Sequence, residues 1–374
     1  MPAKKSRRKV RYAVVGLGYI SQVAVLPAFA NARRNSELVS LVSDDPVKQR
    51  TLGKRYGISR TYSYEAFEEC LASREVDAVY IALPNHMHRD FAVKAAEAGV
   101  HVLCEKPLAV TESECEEMIE AAERHRVRLM TAYRLHFERA NLKAVELVRS
   151  GRLGEVAVFH SVFTNPVDKE DNIRLNPLEL GGGPLYDIGI YCINAARYLF
   201  WAEPVEVVAM ALHGRDRRFR EVDPTMAAVL RFPGDRVATF VCSFAASESG
   251  WYEIVGPKGR LSVDNAYEYA ETMTHTLTIG ERSRETEFPK RDQFAPQLLY
   301  FSDCILEGKT PEPSGWEGLA DVRVIRALIA SSKKGASVEL PPFDRVRRPT
   351  MAQERKRPPV RKPELVHASP PSSE

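Results

Sequence analysis

The stretch Val10-Arg11-Tyr12-Ala13-Val14-Val15-Gly16-Leu17-Gly18-Tyr19-Ile20-Ser21 decides the fold. Residues 10–15 are rich in β-branched and aromatic side chains and read as a buried strand. Two glycines break it, and residues 21–35 read as a helix. Strand, glycine turn and helix, in that order, form the setting in which a G-x-G-x-x-G pattern carries meaning. Gly16 permits the tight turn, and Gly18 lets the backbone approach a pyrophosphate at the helix N-terminus. Ser21 takes the third glycine's place and is still small enough for helix and strand to pack. The fragment therefore predicts a dinucleotide site with Gly16, Gly18, Tyr19 and Ile20 around it.

The pattern repeats outward. Apolar runs at 38–43, 76–83, 101–104 and 128–132 alternate with helical patterns at 46–56, 90–98, 112–125 and 140–150. Such alternation predicts a parallel sheet covered on both faces, a Rossmann α/β domain over 10–132. After about residue 153 the pattern changes. A helix over 185–200 follows Gly181-Gly182-Gly183-Pro184. Strand-like runs come next, at 205–212, 226–232, 237–244, 251–255, 261–263 and 274–279, many joined by short turns. These predict an antiparallel sheet in an α+β domain over 133–342, with helices over 297–307 and 318–332 closing it. A basic arm over 1–9 and a disordered, basic, proline-rich tail over 343–374 complete the organisation.

Length and composition exclude several classes. At 374 residues the chain exceeds the ~100–200 residues usual for one domain. The net charge of +3 conceals an asymmetry: residues 1–11 hold six Lys/Arg and no acid, and residues 345–374 hold eight against three Glu. The body between them is net acidic, which argues against a nucleic-acid-binding core. No run approaches the ~18 apolar residues of a membrane span. The six cysteines lie at least eleven residues apart, so zinc ribbons and C-x-x-C redox motifs are absent. Scattered cysteines and no apolar leader segment point to a reduced, cytoplasmic protein.

Three further places carry chemistry. At the end of the second strand, Asp44 stands where a carboxylate would bond the ribose hydroxyls of NAD, while Ser43 and Lys48 could instead support the 2′-phosphate of NADP. Both cofactors stay open. Cys104-Glu105-Lys106-Pro107 ends a strand of the parallel sheet, where ligands bind in such folds, and Pro107 fixes Lys106 in an extended backbone. Asp187 and Tyr191, four apart on a helix, share one face. A tyrosine at its ordinary pKa of about 10 is a poor base near neutrality, and a nearby ammonium favours its phenolate. Lys106 supplies that charge if the two domains meet. Asn85-His86-Met87-His88 offers histidines two apart that share no face, so no metal is expected.

Residues 12–21, Leu83-Pro84-Asn85 with His88, Glu105-Lys106-Pro107, and Gly181-Gly182-Gly183 leading to Asp187 and Tyr191 together resemble the Gfo/Idh/MocA oxidoreductase family. The likeness spans roughly 10–342 and is strongest to the branch of glucose–fructose oxidoreductase and NAD(P)-linked xylose and glucose dehydrogenases. It implies NADP or NAD as cofactor and a carbohydrate substrate held between the nicotinamide and the second sheet. It also implies a homodimer or homotetramer through that sheet. By position, Lys106, Asp187 and Tyr191 are the implied catalytic residues. Leu83, Pro84, Asn85, His88 and Glu105 join the cofactor site, and Tyr133 and Arg174 become substrate ligands. The family's second strand typically ends Ser-Gly, whereas here it ends Ser43-Asp44. The resemblance implies hydride transfer between C1 of an aldose and nicotinamide. Two alternatives are a recycling enzyme with a tightly bound NADP and a non-catalytic nucleotide or sugar sensor.

Overall fold

The computed structural model describes residues 8–344, 347–370 and 372. Most of the basic arm, residues 1–7, lies outside them.

The first half alternates strand and helix. β1 (Val10–Val15) leads through the glycine turn into α1, a wide-turned segment Ser21–Val25 continued by Leu26–Ala28. Then follow β2 (Ser36–Val42), α2 (Pro46–Tyr56), β3 (Arg60–Tyr62), α3 (Phe67–Ala72) and β4 (Ala78–Ile81). After these come α4 (His88–Glu97), β5 (His101–Cys104), α5 (Glu112–Arg124), β6 (Leu129–Thr131) and α6 (Arg139–Arg149). The six strands are parallel in the order β3-β2-β1-β4-β5-β6. The order reverses beside β1, the switch point at which open α/β sheets bind ligands. Local chemistry sets the helix starts: Asp45 caps α2 with Pro46 behind it, and Thr111 and Glu114 form a reciprocal capping box on α5.

Among the described residues the second sheet has nine strands: β7 (Val158–Thr164), β8 (Glu206–Leu212), β9 (Thr225–Phe232), β10 (Arg236–Ser243), β11 (Ser249–Gly256), β12 (Gly259–Asp264), β13 (Met273–Ile279), β14 (Arg282–Phe288) and β15 (Val338–Glu339). Their order is β14-β13-β12-β11-β7-β10-β9-β8-β15, antiparallel except where β10 runs parallel to β7. The helices of this half are α7 (Ile190–Phe200), α8 (Phe294–Glu307) and α9 (Gly315–Lys334). One sheet face packs on α7 and α9; the other is open. The fold class is the expected one, a parallel Rossmann sheet beside a mostly antiparallel sheet.

Two expectations of organisation are corrected. The first concerns α8, placed by sequence with the second sheet. Its apolar face (Phe294, Leu298, Phe301) fills the core against β1 and β2, and Tyr12 and Ser302 hydrogen-bond across at 2.8 Å. The second concerns the tail. Residues 347–370 are not loose: with one short helical turn at Met351–Gln353 they lie first against the second half and then, from about Arg357, along the first. Buried Arg348 pairs with Glu203 and Glu317, Gln353 donates to Glu312, and Asn31 donates to Pro358 O. Its prolines favour an extended backbone, and its cation fills an acidic hole that would otherwise hold unbalanced buried charge.

Candidate active site

A cleft of about 470 Å³ opens where the two halves meet, a size usual for small-molecule sites. The glycine turn forms one end. Gly16 has φ +90, and a Cβ there would lie 2.4 Å from Ala82 O, so only glycine fits. Ser21 Oγ donates back to Gly16 O at 2.6 Å, which shows why a serine serves at the third position. Gly18 lines the cleft, and a Cβ there would meet nothing within 4 Å. That open space before a helix start is the cradle a pyrophosphate needs, so the residues present fit a dinucleotide. Tyr19 and Ile20 line the same end.

The other end is charged. Lys106 Nζ donates to Asp187 O at 2.6 Å and lies 3.3 Å from Asp187 Oδ1. Arg174 Nε donates to Asp187 Oδ2 at 2.6 Å. Burial alone would raise the Asp187 pKa, but Arg174 and Lys106 outweigh it and hold the carboxyl down at about 2. Tyr191 lies alongside, its ring centroid 4.9 Å from Lys106 Nζ and 5.1 Å from the Arg134 guanidinium. Glu105 lines the cleft half-buried, accepting from Tyr80 OH at 2.6 Å; desolvation pushes its pKa up.

Backbone geometry delivers this cluster. Asn85 Nδ2 donates to Gly181 O at 2.7 Å, tying the loop after β4 to the glycine run before Asp187. A Cβ on Gly182 would lie 1.7 Å from Asn176 O, so the loop carrying Arg174 presses directly on the glycines. Asp187 falls in a wide helical turn, Leu185–Gly189, that precedes α7.

Of the sequence-derived residues, the cleft gathers Gly18, Tyr19, Ile20, Leu83, Pro84, Asn85, Glu105, Lys106, Arg174, Asp187 and Tyr191. Others lie elsewhere. Tyr133 does not line it: the ring is buried, stacks on His136, and its hydroxyl bonds Asp321. His88 is fully buried, its ring nitrogens 2.9 Å from Leu83 O and Pro107 O, so it clamps two cleft loops together from behind. Ser43, Asp44 and Lys48 stand beyond the cleft lining. Asp44 accepts from Tyr64 N–H at 2.6 Å, and Ser43 Oγ accepts from Asp45 N–H at 3.3 Å. Sequence reasoning gave no role to Arg134, which is pinned by Tyr267 O and Gln293, or to the tail residues Pro359, Val360 and Lys362. A lone arginine after a short strand, or a proline-rich terminus, carries no signal of its own.

Residues 10–133 match the oxidoreductase family model with NAD-binding Rossmann fold, and residues 141–262 match the GFO/IDH/MocA C-terminal domain. The chain belongs to the Gfo/Idh/MocA oxidoreductases. Among its relatives, a D-xylose 1-dehydrogenase (NADP(+)) of Haloferax volcanii is 34% identical, over 88% of this chain and 99% of that one. A D-xylose 1-dehydrogenase [NADP(+)] of Haloarcula marismortui is 31% identical, over 88% and 93%. The crystal structure of aldose-aldose oxidoreductase from Caulobacter crescentus, complexed with glycerol, superposes with a TM-score of 0.85 at 39% identity, over 89% of this chain and all of that one. This Gfo/Idh/MocA protein is a sugar oxidoreductase with a nicotinamide cofactor.

Proposed function

We propose that the cleft oxidises the C1 hydroxyl of an aldopyranose. The observation that carries this is the convergence of Lys106, Asp187, Arg174 and Tyr191 on the cavity that Gly18 also lines. A nicotinamide dinucleotide, when bound, supplies the hydride acceptor. Tyr191 takes the C1 hydroxyl proton. Lys106 stands beside it as counter-charge to the oxygen that becomes negative. Asp187, ionised throughout the physiological range, accepts from a neighbouring sugar hydroxyl, and Arg174 fixes that carboxylate. General acid–base help of this kind contributes ~10²–10⁴-fold, and holding the sugar against the acceptor supplies much of the rest.

The xylose relatives support NADP as the preferred partner. The six unpaired, buried thiols support a reducing cytoplasmic compartment. The open face of the second sheet supports a homo-oligomer. The test is absorbance at 340 nm with NAD⁺ or NADP⁺ against glucose, xylose, galactose and inositol. An increase with an aldose is expected. A response to inositol alone moves the reaction away from an anomeric carbon.

A further inference from the structure

The tail does more than cover a seam. After Pro358 it crosses the glycine-turn end of the cleft, and Pro359, Val360, Lys362, Pro370 and Ser372 line the same cavity as Gly18, Tyr19 and Ile20. Two latches hold it. The Gln22 side-chain amide, fully buried one residue after Ser21, donates to Val366 O and accepts from Val366 N–H, both at 2.8 Å. This pair imitates strand pairing and seats the tail on the helix that follows the glycine turn. One residue on, His367 Nδ1 lies 2.8 Å from Asp45 Oδ2, at the cap of α2. Arg55 adds a bond to Glu364 O at 2.7 Å, and Leu365 and Val366 pack on the core. The latches therefore sit at the start of the two helices that the loops after β1 and β2 enter. In a dinucleotide fold those loops take the pyrophosphate and the adenosine ribose.

We propose that residues 359–370 form the outer wall of the nucleotide half of the cleft, so that NAD(P) leaves only when the tail lifts. This rests on the cofactor reading above. The inner wall is the glycine turn, with Gly16 and Leu17 buried; the outer wall is a single non-helical segment that bends at Val366 and His367 and is held by side-chain bonds. Opening needs the Gln22 and His367 latches to break and leaves the sheet intact. The enzyme then keeps its cofactor between sugars, and exchange of nucleotide is slower than exchange of sugar.

The test compares the full chain with one ending at Pro358, which retains the Arg348, Gln353 and Arg357 anchors. Circular dichroism and melting confirm that the shortened chain folds. NADPH release is followed by fluorescence after a chase of excess NADP⁺. Release at least ~10-fold faster from the shortened chain is expected, as for a lost lid. In the full chain, NADPH should also slow tryptic cleavage after Arg361. Equal release rates with unchanged cleavage overturn the proposal while leaving the cofactor reading intact. Binding by the shortened chain alone makes the tail a plug and overturns it too. NADPH binding by neither chain removes the cofactor reading itself, and the wall with it.

Discussion

At Tyr191 two cations approach one ring, Lys106 from the end of β5 and Arg134 from the loop after β6. Each is fixed by other partners, so neither needs the substrate to hold it in place. Removing the phenolic oxygen by Tyr191→Phe, or the ammonium by Lys106→Ala, should lower kcat at least ~10²-fold. Steady-state rates at saturating sugar decide this, and wild-type turnover in either variant removes that residue from the mechanism. Asp187 differs, because its role is also visible in stability. Its pKa lies below the ordinary 3.8, at about 2, because Arg174 and Lys106 outweigh the cost of burial. A depressed carboxylate contributes stability above its unfolded pKa and loses it as pH falls through the folded value. Asp187→Asn should therefore cost on the order of 2 kcal/mol at pH 5, and the gap to wild type should narrow steadily between pH 4 and pH 2. Urea unfolding across that range measures it; a gap independent of pH would show that ionisation of Asp187 contributes nothing. Lys106, Asp187 and Tyr191 were legible because each sits in a short motif of fixed spacing. Tyr133 was misread because a position carried over from a family resemblance says nothing about which way the ring turns in this chain.

Among the elements, the strands of the parallel sheet announced themselves. β1, α2 and β5 fall where their apolar runs and caps placed them, because both faces of that sheet are buried and the whole strand reads apolar. β7 and β14 did not. β7 sits mid-sheet between β10 and β11, partners about 80 and 90 residues away, so no local turn marks it. β14, Arg282–Phe288, is an edge strand of charged residues, whose ladder to β13 leaves no hydrophobic alternation to read. The glycine elements allow a sharper contrast. Gly18→Ala places a methyl in open space, so melting should be unchanged while NADP⁺ affinity falls at least ~10-fold, since the backbone can no longer approach the ligand. Gly182→Ala drives a methyl into Asn176 O at 1.7 Å, and the loop carrying Arg174 must shift. That variant should lose at least ~2 kcal/mol of stability, with a higher KM for the sugar. Calorimetry and nucleotide titration on the pair separate a ligand-facing glycine from a packing one; equal melting points would contradict that division.

Over the whole molecule, the two faces of the second sheet are unequal. The inner face packs on α7 and α9. The outer face presents Val208, Met210, Leu212 and Val229 on the adjacent strands β8 and β9, all more than 40% exposed, and Val208 stands directly across from Val229 in their ladder. Isolated apolar residues on a surface are ordinary, but a contiguous patch on adjacent strands marks an interface. Burial alternates regularly along β9, with Leu230 turned into the core and Val229 outward, so the exposed apolar side chains belong to the face opposite the core. A second copy is the occupant most consistent with such a face, because a two-fold axis lets one patch cover itself. A stable interface needs about 1,200–2,000 Å² in total, which open strands of this length can supply. Light scattering after gel filtration should therefore give a dimer or tetramer. Met210→Glu with Val229→Arg places charges of both signs on the patch, away from every cleft residue. The double variant should run at the 42.0 kDa of one chain. Its turnover per chain should hold within about threefold if the site is complete within one subunit, since surface changes away from buried contacts rarely cost more than ~0.5 kcal/mol. A monomeric wild type would reassign the patch to another partner, and a monomeric double variant without activity would mean that association shapes the cleft.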